Sequence, residues 1–353
     1  MKPAVTVLVD TYNHERFIEE ALASVLGQDF PPDQMEILVV DDGSTDRTPE
    51  LVRKLEPRVR LIRKENGGQA SAFNAGIPQA QGEIIAFLDG DDWWAPKKLS
   101  RVVEAMNADP ALGIVGHGVI IVQRDGHEQP EILRDGFRFR ADTIEGARLL
   151  CRRGSFLGTS RMTIRADLLK RIGPVPEPLA VQADEYLSTL AGVLAGVQIL
   201  PEVLTYYRLH DQNAFQMTDK DSQRFRRKQK VLAELAQSLD EQLRRRGVDA
   251  RVVRMLTERI QADADQLRLI LDGGWPWETF ETEWKIYEVL HPDAPISHRA
   301  FKLLSLLPTI AMPPRSYYAI QQRLSKSDLY LRARRRWLPI PTMPHIQKDW
   351  RTD

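Results

Sequence analysis

Short apolar runs alternate with helical stripes over the first hundred residues. Ala4–Val9, Glu36–Val40, Val59–Ile62 and Ile84–Leu88 are brief and rich in β-branched residues, as strands buried on both faces are. After the first, Phe17, Ile18, Ala21, Leu22, Val25 and Leu26 recur at three- and four-residue spacing, which predicts a helix over Arg16–Gly27 with one face in a core. Thr48-Pro49 opens a second predicted helix, because proline is tolerated at the first helical position, and Gln69–Pro78 reads as a third. Strand and helix in alternation imply a parallel sheet with right-handed crossovers. Ligands of such a sheet collect beyond the carboxyl ends of its strands.

The residues that follow each strand are therefore the informative ones. They are Asp10, Thr11, Tyr12 and Asn13; Asp41, Asp42, Gly43 and Ser44; Asn66, Gly67 and Gly68; and Asp89, Gly90, Asp91 and Asp92. Six carboxylates are thereby expected on one rim, where they repel and raise one another's pKa unless a cation or hydrogen-bond donors offset them. An all-oxygen site of this kind suits magnesium or manganese.

Beyond this region the pattern is mixed. Pro96–Ala108 and Asp184–Leu194 have helical spacing, Gly113–Val122 and Thr159–Arg165 read as strands, and Gln123–Arg140 reads as polar loop. From Asp219 onward the chain is helical, with Val231, Leu232, Leu235, Leu239 and Leu243 on one stripe. Residues 1–218 are expected to form one domain and residues 219–353 a helical region. Ala300–Pro314 is apolar but broken by prolines, which favours a packed helix and turn over a membrane anchor.

Composition adds limits. The 353 residues are 42% hydrophobic and 28% charged, with 49 basic and 49 acidic side chains, which excludes a disordered or collagen-like chain. Cys151 stands alone, so no internal disulfide is possible, and a reducing compartment is expected. Met1–Val9 is too short an apolar run for a signal peptide, and no stretch approaches the roughly 18 apolar residues of a membrane span. A cytoplasmic protein without a nucleic-acid partner is the expectation. The neutral total hides an asymmetry: residues 1–219 carry 24 Lys/Arg against 32 Asp/Glu, and residues 220–353 carry 25 against 17. The excess gathers in Lys220–Arg259 and at Arg332 and Arg334–Arg336. Such runs are either solvated helix faces or a surface for anionic headgroups at the inner face of a membrane.

Four ordered motifs share the chain: TYNHERFIEEALASVLGQ from Thr11, VVDDGSTDRT from Val39, ENGGQASAFNAGI from Glu65, and LDGDDWW from Leu88. Together they resemble the family 2 glycosyltransferases of the GT-A fold, densely over about the first 100 residues and weakly to about residue 215. The resemblance implies a Rossmann-like α/β domain with a mostly parallel sheet. It also implies transfer of a sugar from a nucleoside-diphosphate donor, a UDP sugar first among them, with inversion and a divalent cation, in surface polysaccharide or glycoconjugate synthesis.

It further implies site residues. Thr11, Tyr12, Asn13 and Glu15 fall where the family holds the nucleoside, and Asp42, or alternatively Asp41, where it reads the base. Asp89 and Gly90 match the ribose and metal segment, and Asp91 matches the carboxylate on the cation. Gly67, Gly68 and Asn74 match positions near the donor, although the glycines also suit a plain loop. Asp92 is either part of this acidic segment or a cap for the helix near Pro96, and Trp93 and Trp94 are either core or a platform for an acceptor sugar. The general base is expected in QADEYLSTL, as Asp184 or, one residue on, Glu185. YRLHDQN from Tyr207 resembles the family's Tyr-Arg-x-His segment, with His210 completing the metal shell and Arg208 offsetting phosphate charge. His14 and His117 have no comparable context, and Cys151 is expected to be buried or inert.

Two rival chemistries lack their motifs: the chain has no Gly-x-Gly-x-x-Gly after its first strand and no Gly-Lys-Ser/Thr. The other class of protein compatible with these residues is a non-catalytic relative that binds a nucleotide sugar or glycan as a scaffold. The acceptor, whether a lipid-linked glycan, a protein or a small molecule, is not legible in the chain.

Overall fold

The structure, a computed structural model, describes residues 2–131, 133, 135–211, 222–291 and 294–325. It divides into two compact units, one of Met1–Gln216 with Arg245–Val252 and one of Met217–Arg244 with Val253–Asp353. The boundary expected near Asp219, Lys220 and the Arg332–Arg336 run lie outside the described residues.

The first unit opens with the expected alternation: β1 (Val5–Thr11), α1 (Ile18–Leu26), β2 (Met35–Asp41), α2 (Thr48–Arg53), β3 (Arg60–Arg63), α3 (Gln69–Gly76) and β4 (Ile84–Asp89). It continues through β5 (Trp93–Trp94), α4 (Lys98–Ala108), β6 (Leu112–Val122), β7 (Glu128–Pro130), β8 (Phe137–Phe139), α5 (Ile144–Arg153), β9 (Thr163–Arg165), α6 (Ala166–Ile172), α7 (Ala183–Leu194) and β10 (Gly196–Arg208). One sheet runs β3-β2-β1-β4-β9-β6-β10-β5, with β7 beside β6 and β8 beside β10. β1 pairs in parallel with β2 and β4, β2 with β3, and β6 with β10. β9 is antiparallel to both β4 and β6 and so joins the two parallel groups.

Burial explains why the first strands were readable. Val5, Val7, Leu8 and Val9 of β1 and Ile84 to Leu88 of β4 are all buried, as strands covered by helices on both sides must be. The second half was less readable. Thr159–Arg161 is a 3₁₀ turn and only Thr163–Arg165 is strand, while the expected loop Gln123–Arg140 holds β7 and β8. The long β10 had no signal of its own, because Pro201 and Glu202 interrupt its apolar pattern. The register against β6 shifts between Leu200 and Val203, and this bulge accommodates the interruption.

One core residue is out of character. Lys98 is fully buried, its Nζ lies 3.4 Å from the centroid of the Trp94 ring, and that nitrogen has no hydrogen-bond partner among the described residues. Burial pushes its pKa well below the ordinary lysine range. An unsatisfied buried donor costs about 1–3 kcal/mol, so Lys98→Met, similar in volume, is expected to stabilise the protein by about 1 kcal/mol in urea unfolding at pH 7. The sign follows from linkage: the unfolded chain binds the proton that the folded lysine resists, so the penalty grows as pH falls from about 10.4. The gain is therefore expected to shrink above that pH to the part due to the unpaired neutral amine.

The second unit is helical: α8 (Ser222–Arg245), α9 (Ala250–Asp272), α10 (Pro276–Leu290), α11 (Ile296–Ala311) and α12 (Pro314–Ser325). The α8 stripe Val231, Leu232, Leu235, Leu239 and Leu243 is buried as expected. Several basic residues here are paired, Arg226 with Asp272, Arg244 with Asp240 and Arg259 with Asp263. The expectation of a packed helix over Ala300–Pro314 needs correction. Within α11 only Leu306 and Thr309 are buried, and most of its apolar side chains are exposed.

Candidate active site

The parallel register of β1 on β4 sets Asp10 opposite Asp89, and the chain then turns through Gly90, whose N–H donates to the Asp10 carbonyl at 2.9 Å. A side chain at Gly90 would strike Thr11 Oγ1 at 2.6 Å and His14 Nδ1 at 2.8 Å. This close approach is what glycine permits. The turn gathers carboxylate oxygens of Asp89, Asp91 and Asp92 within 4.8 Å of one another.

Crowding shows in the acidities. Burial and then the charge of Asp91 push the Asp10 carboxyl up to about 8. Burial, followed by neighbouring carboxylates, drives Asp89 and Asp92 well above the usual range. Asp91 behaves oppositely: burial alone would raise it, but His14 and His210 hold it low. His210 Nε2 lies 2.8 Å from Asp91 Oδ2 and His14 Nε2 3.7 Å from it.

Two distant segments close around the cluster. Ser160 Oγ donates to Asp92 Oδ2 at 2.6 Å, and the Arg208 N–H donates to Asp92 Oδ1 at 3.0 Å. Asp92 thus anchors the turn and does not cap α4, whose N-cap is Lys97. Arg208 Nε donates to the Asp91 carbonyl at 3.1 Å, and its guanidinium pairs with Glu20. Trp94 is core, with Nε1 donating to the Ser160 carbonyl at 2.9 Å, whereas half-buried Trp93 stacks on Tyr206 at 5.0 Å.

Asp184 enters from the first turn of α7. Its Oδ2 accepts from the Thr159 N–H at 3.1 Å and hydroxyl at 3.3 Å, and its Oδ1 accepts from the Glu185 N–H at 2.8 Å. Gln69 Nε2 donates to Thr159 Oγ1 at 2.9 Å and approaches Asp89 Oδ1 at 3.4 Å. A chain of polar contacts therefore joins Asp184 to the cluster. Burial raises the Asp184 carboxyl.

The expected rim of six carboxylates separates into two groups. Asp41 is buried, accepts from the Ser44 N–H at 3.0 Å and lies 3.2 Å from Arg63 Nε. Asp42 accepts from Lys64 Nζ at 2.7 Å, Gly67 N–H at 3.0 Å and Gly68 N–H at 2.7 Å. The Gly67 N–H is shared with the second oxygen at 3.2 Å, so these bonds engage all of the roughly four lone-pair sites. Gly68 takes φ 82°, and a side chain there would meet the Ala180 backbone at 2.7 Å. Gly68→Ala is thus expected to destabilise by at least about 1 kcal/mol, measured by thermal unfolding.

The Thr11–Glu15 segment is woven to the loop after β2. Asn13, at φ 57°, receives the Thr45 N–H on Oδ1 at 2.8 Å, and Glu15 Oε2 accepts from the Arg47 N–H at 3.2 Å. Tyr12 projects outward, 44% exposed. Asn74 is not brought to the cluster. Its amide is spent on both backbone groups of Val175 at 2.8 Å, and it lines a cavity of about 770 Å³ with Gly82 and Glu83, before β4 begins. Asp10 stays with the cluster as expected of a rim carboxylate, whereas sequence reasoning missed His14 as a member of the cluster's surroundings. For His14 the available signal was its place three residues past Thr11, whose Oγ1 it reaches at 3.2 Å. His117 is core, and Cys151 is half-buried.

The mixed α/β sheet thus carries a carboxylate cluster at the carboxyl ends of β1 and β4, the rim where sheets of this kind take their ligands. Residues 6–173 match Glycosyl transferase family 2. That match spans just under half of the chain, and it agrees with the family that the four motifs resemble. It is 33% identical over 219 residues to "Uncharacterized glycosyltransferase alr2836" of Nostoc sp., a match covering 59% of this chain and 66% of that relative, just under two thirds. Among solved structures it resembles S. aureus TarS 1–349 in complex with UDP-GlcNAc, with a TM-score of 0.58 and 21% identity over 86% of this chain and 84% of that one. It also resembles the mannosyltransferase PcManGT from Pyrobaculum calidifontis in complex with GDP-Man and Mn2+, with a TM-score of 0.53 and 22% identity over 96% and 85%. At these identities the likeness is one of fold, and it agrees with the GT-A architecture expected from the motifs.

Proposed function

We propose that this chain transfers a sugar from a nucleoside-diphosphate donor to an acceptor hydroxyl. The observation that carries the reading is the Asp89, Asp91 and Asp92 cluster at the carboxyl end of β4 in a family 2 domain. UDP sugars are the first donors to try, since the TarS structure holds one. Thr11, Asn13 and Glu15 shape the nucleoside side. Asp42 fixes the Gly67–Gly68 loop, and a base would have to share its oxygens with those donors. Asp41, paired with Arg63 and accepting the Ser44 N–H, holds the turn after β2.

The acidic cluster fits a divalent cation. Its donors are oxygens, as magnesium and manganese prefer, and the raised acidities of Asp89 and Asp92 register repulsion that a cation would relieve. Asp91, Asp89 and His210 would hold it, and when bound it supplies neutralising charge for the departing diphosphate. Arg208, 4.3 Å over Trp93 and tied to the Asp91 carbonyl, would add cationic charge beside the cluster.

The chain's own chemistry is proton transfer and orientation. Asp184 takes the acceptor's hydroxyl proton as that oxygen attacks the anomeric carbon. The bond from that carbon to the phosphate oxygen breaks, and the diphosphate leaves with the electron pair. In-line displacement inverts the centre. Thr159 keeps the Asp184 carboxylate aimed, and Gln69 couples it to Asp89.

A thermal-shift titration with UDP, with and without Mn2+, tests the reading directly. Ligand at 100 times its Kd stabilises by about 2.7 kcal/mol, so a clear rise in Tm with UDP and Mn2+ together is expected, and chelation should abolish it. No shift with UDP, GDP or dTDP and their sugars would overturn the proposal. Slow release of nucleotide from the stabilising donor separates an enzyme from a binding-only relative.

A further inference from the structure

The second unit contains a helix whose polarity is reversed. Ile296, Ala300, Leu303, Leu304, Leu307 and Ile310 recur at three- and four-residue spacing on α11, and all are exposed, Leu304 by 65% and Leu307 by 56%. The two cationic residues of α11 point the other way. Lys302 Nζ lies 3.6 Å from buried Glu283, and Arg299 lies 4.0 Å from Glu288, both on α10. Leu306 and Thr309 complete the packed side.

An ordinary surface helix buries its apolar stripe and presents its charges. On α11 the ion pair with Glu283 holds a cation inward, and about 24 Å of helix offers an outward face with no charged side chain. An exposed apolar strip of this kind marks an interaction site.

The surrounding charge selects the partner. Besides the inward-facing Arg299 and Lys302, residues 296–336 carry seven Lys/Arg and one acidic residue, Asp328. Among the described residues no helix is long and apolar enough to cross a membrane. A helix that cannot span, with an apolar strip in a strongly basic segment, has the make-up of an element that lies in the headgroup plane.

We propose that the outward face of α11 inserts into the surface of an anionic phospholipid bilayer. Insertion supplies an apolar contribution that salt does not screen, and the basic residues supply one that it does. This goes beyond electrostatic docking by the Arg332–Arg336 run alone, and it does not depend on the glycosyltransferase reading.

Flotation of the full chain with phosphatidylcholine vesicles containing 30 mol% phosphatidylglycerol, at low and high salt, tests it. The wild type should float, and raised salt should weaken binding without abolishing it. Leu304→Glu/Leu307→Glu should lower the partition coefficient at least tenfold, whereas Leu304→Phe/Leu307→Ile should retain it. Both positions are exposed, so Tm and far-UV circular dichroism should be unchanged in both variants. Equal flotation of the Glu variant and the wild type would overturn the proposal, as would a wild type that stays with the soluble fraction. A wild-type dimer in sedimentation equilibrium that the Glu variant dissolves, without flotation, would assign the face to a second copy of this chain instead.

Discussion

Replacing Asp91 with Asn is expected to remove Mn2+-dependent UDP binding and to lower kcat/KM for transfer by about 10³-fold, or ~4 kcal/mol of transition-state stabilisation. Three structural facts bear on the size. Asp91 is buried, it belongs to the cluster of Asp89 and Asp92, and it alone of the three is held below the usual carboxylate range. It is thus the member that carries full negative charge most readily. Its charge also raises Asp10, Asp89 and Asp92. Neutralising it relieves repulsion, so metal-free Asp91→Asn should melt no lower than the wild type. Loss of function with retained stability marks a binding site that stores repulsion. Calorimetry with UDP and Mn2+ decides the matter: unchanged affinity in the variant would remove Asp91 from the metal site.

Asp184→Asn is expected to keep donor binding and to slow transfer by about 10²–10⁴-fold, the usual contribution of a general base. The variant preserves the acceptor oxygen that receives the Thr159 N–H, so α7 should stay in place. The pH profile provides a second check. Burial raises the Asp184 carboxyl, and the base works only when deprotonated. The wild-type rate should therefore fall as pH drops through a value above the ordinary carboxylate range of about 3.9, and this limb should disappear in Asp184→Asn. Glu185→Gln should remain near the wild type. The reverse result, a crippled Glu185→Gln and an active Asp184→Asn, would move the base by one residue.

The choice between Asp184 and Glu185 illustrates what sequence alone leaves open. Both sit in the first turn of α7, and spacing does not say which of two adjacent side chains faces the crevice. Folding places Thr159 against Asp184 and Gln69 between Thr159 and Asp89. Those contacts cross 25, 90 and 20 positions of chain, and no local pattern encodes them. The Asp92 side chain was ambiguous for the same reason, since Ser160 and Arg208 engage it from far along the chain.

The sequence by itself determined the first four strands, the helices between them, and the strand ends as the place where carboxylates gather. Buried parallel strands must be continuously apolar and the turns beyond them polar, so one-dimensional pattern suffices there. It also carried the family resemblance, because four motifs kept their order and spacing. Tertiary structure decided the rest. It separated Asp41 and Asp42 from the acidic cluster, by supplying Arg63, Lys64 and two glycine N–H groups as partners. It turned Asn74 to Val175 and brought His14 beside Asp91. It also faced the leucines of α11 outward, because an amphipathic pattern fixes which residues share a face, whereas the burial of Leu306 and Thr309 and the ion pairs of Lys302 and Arg299 with α10 fix which face is packed.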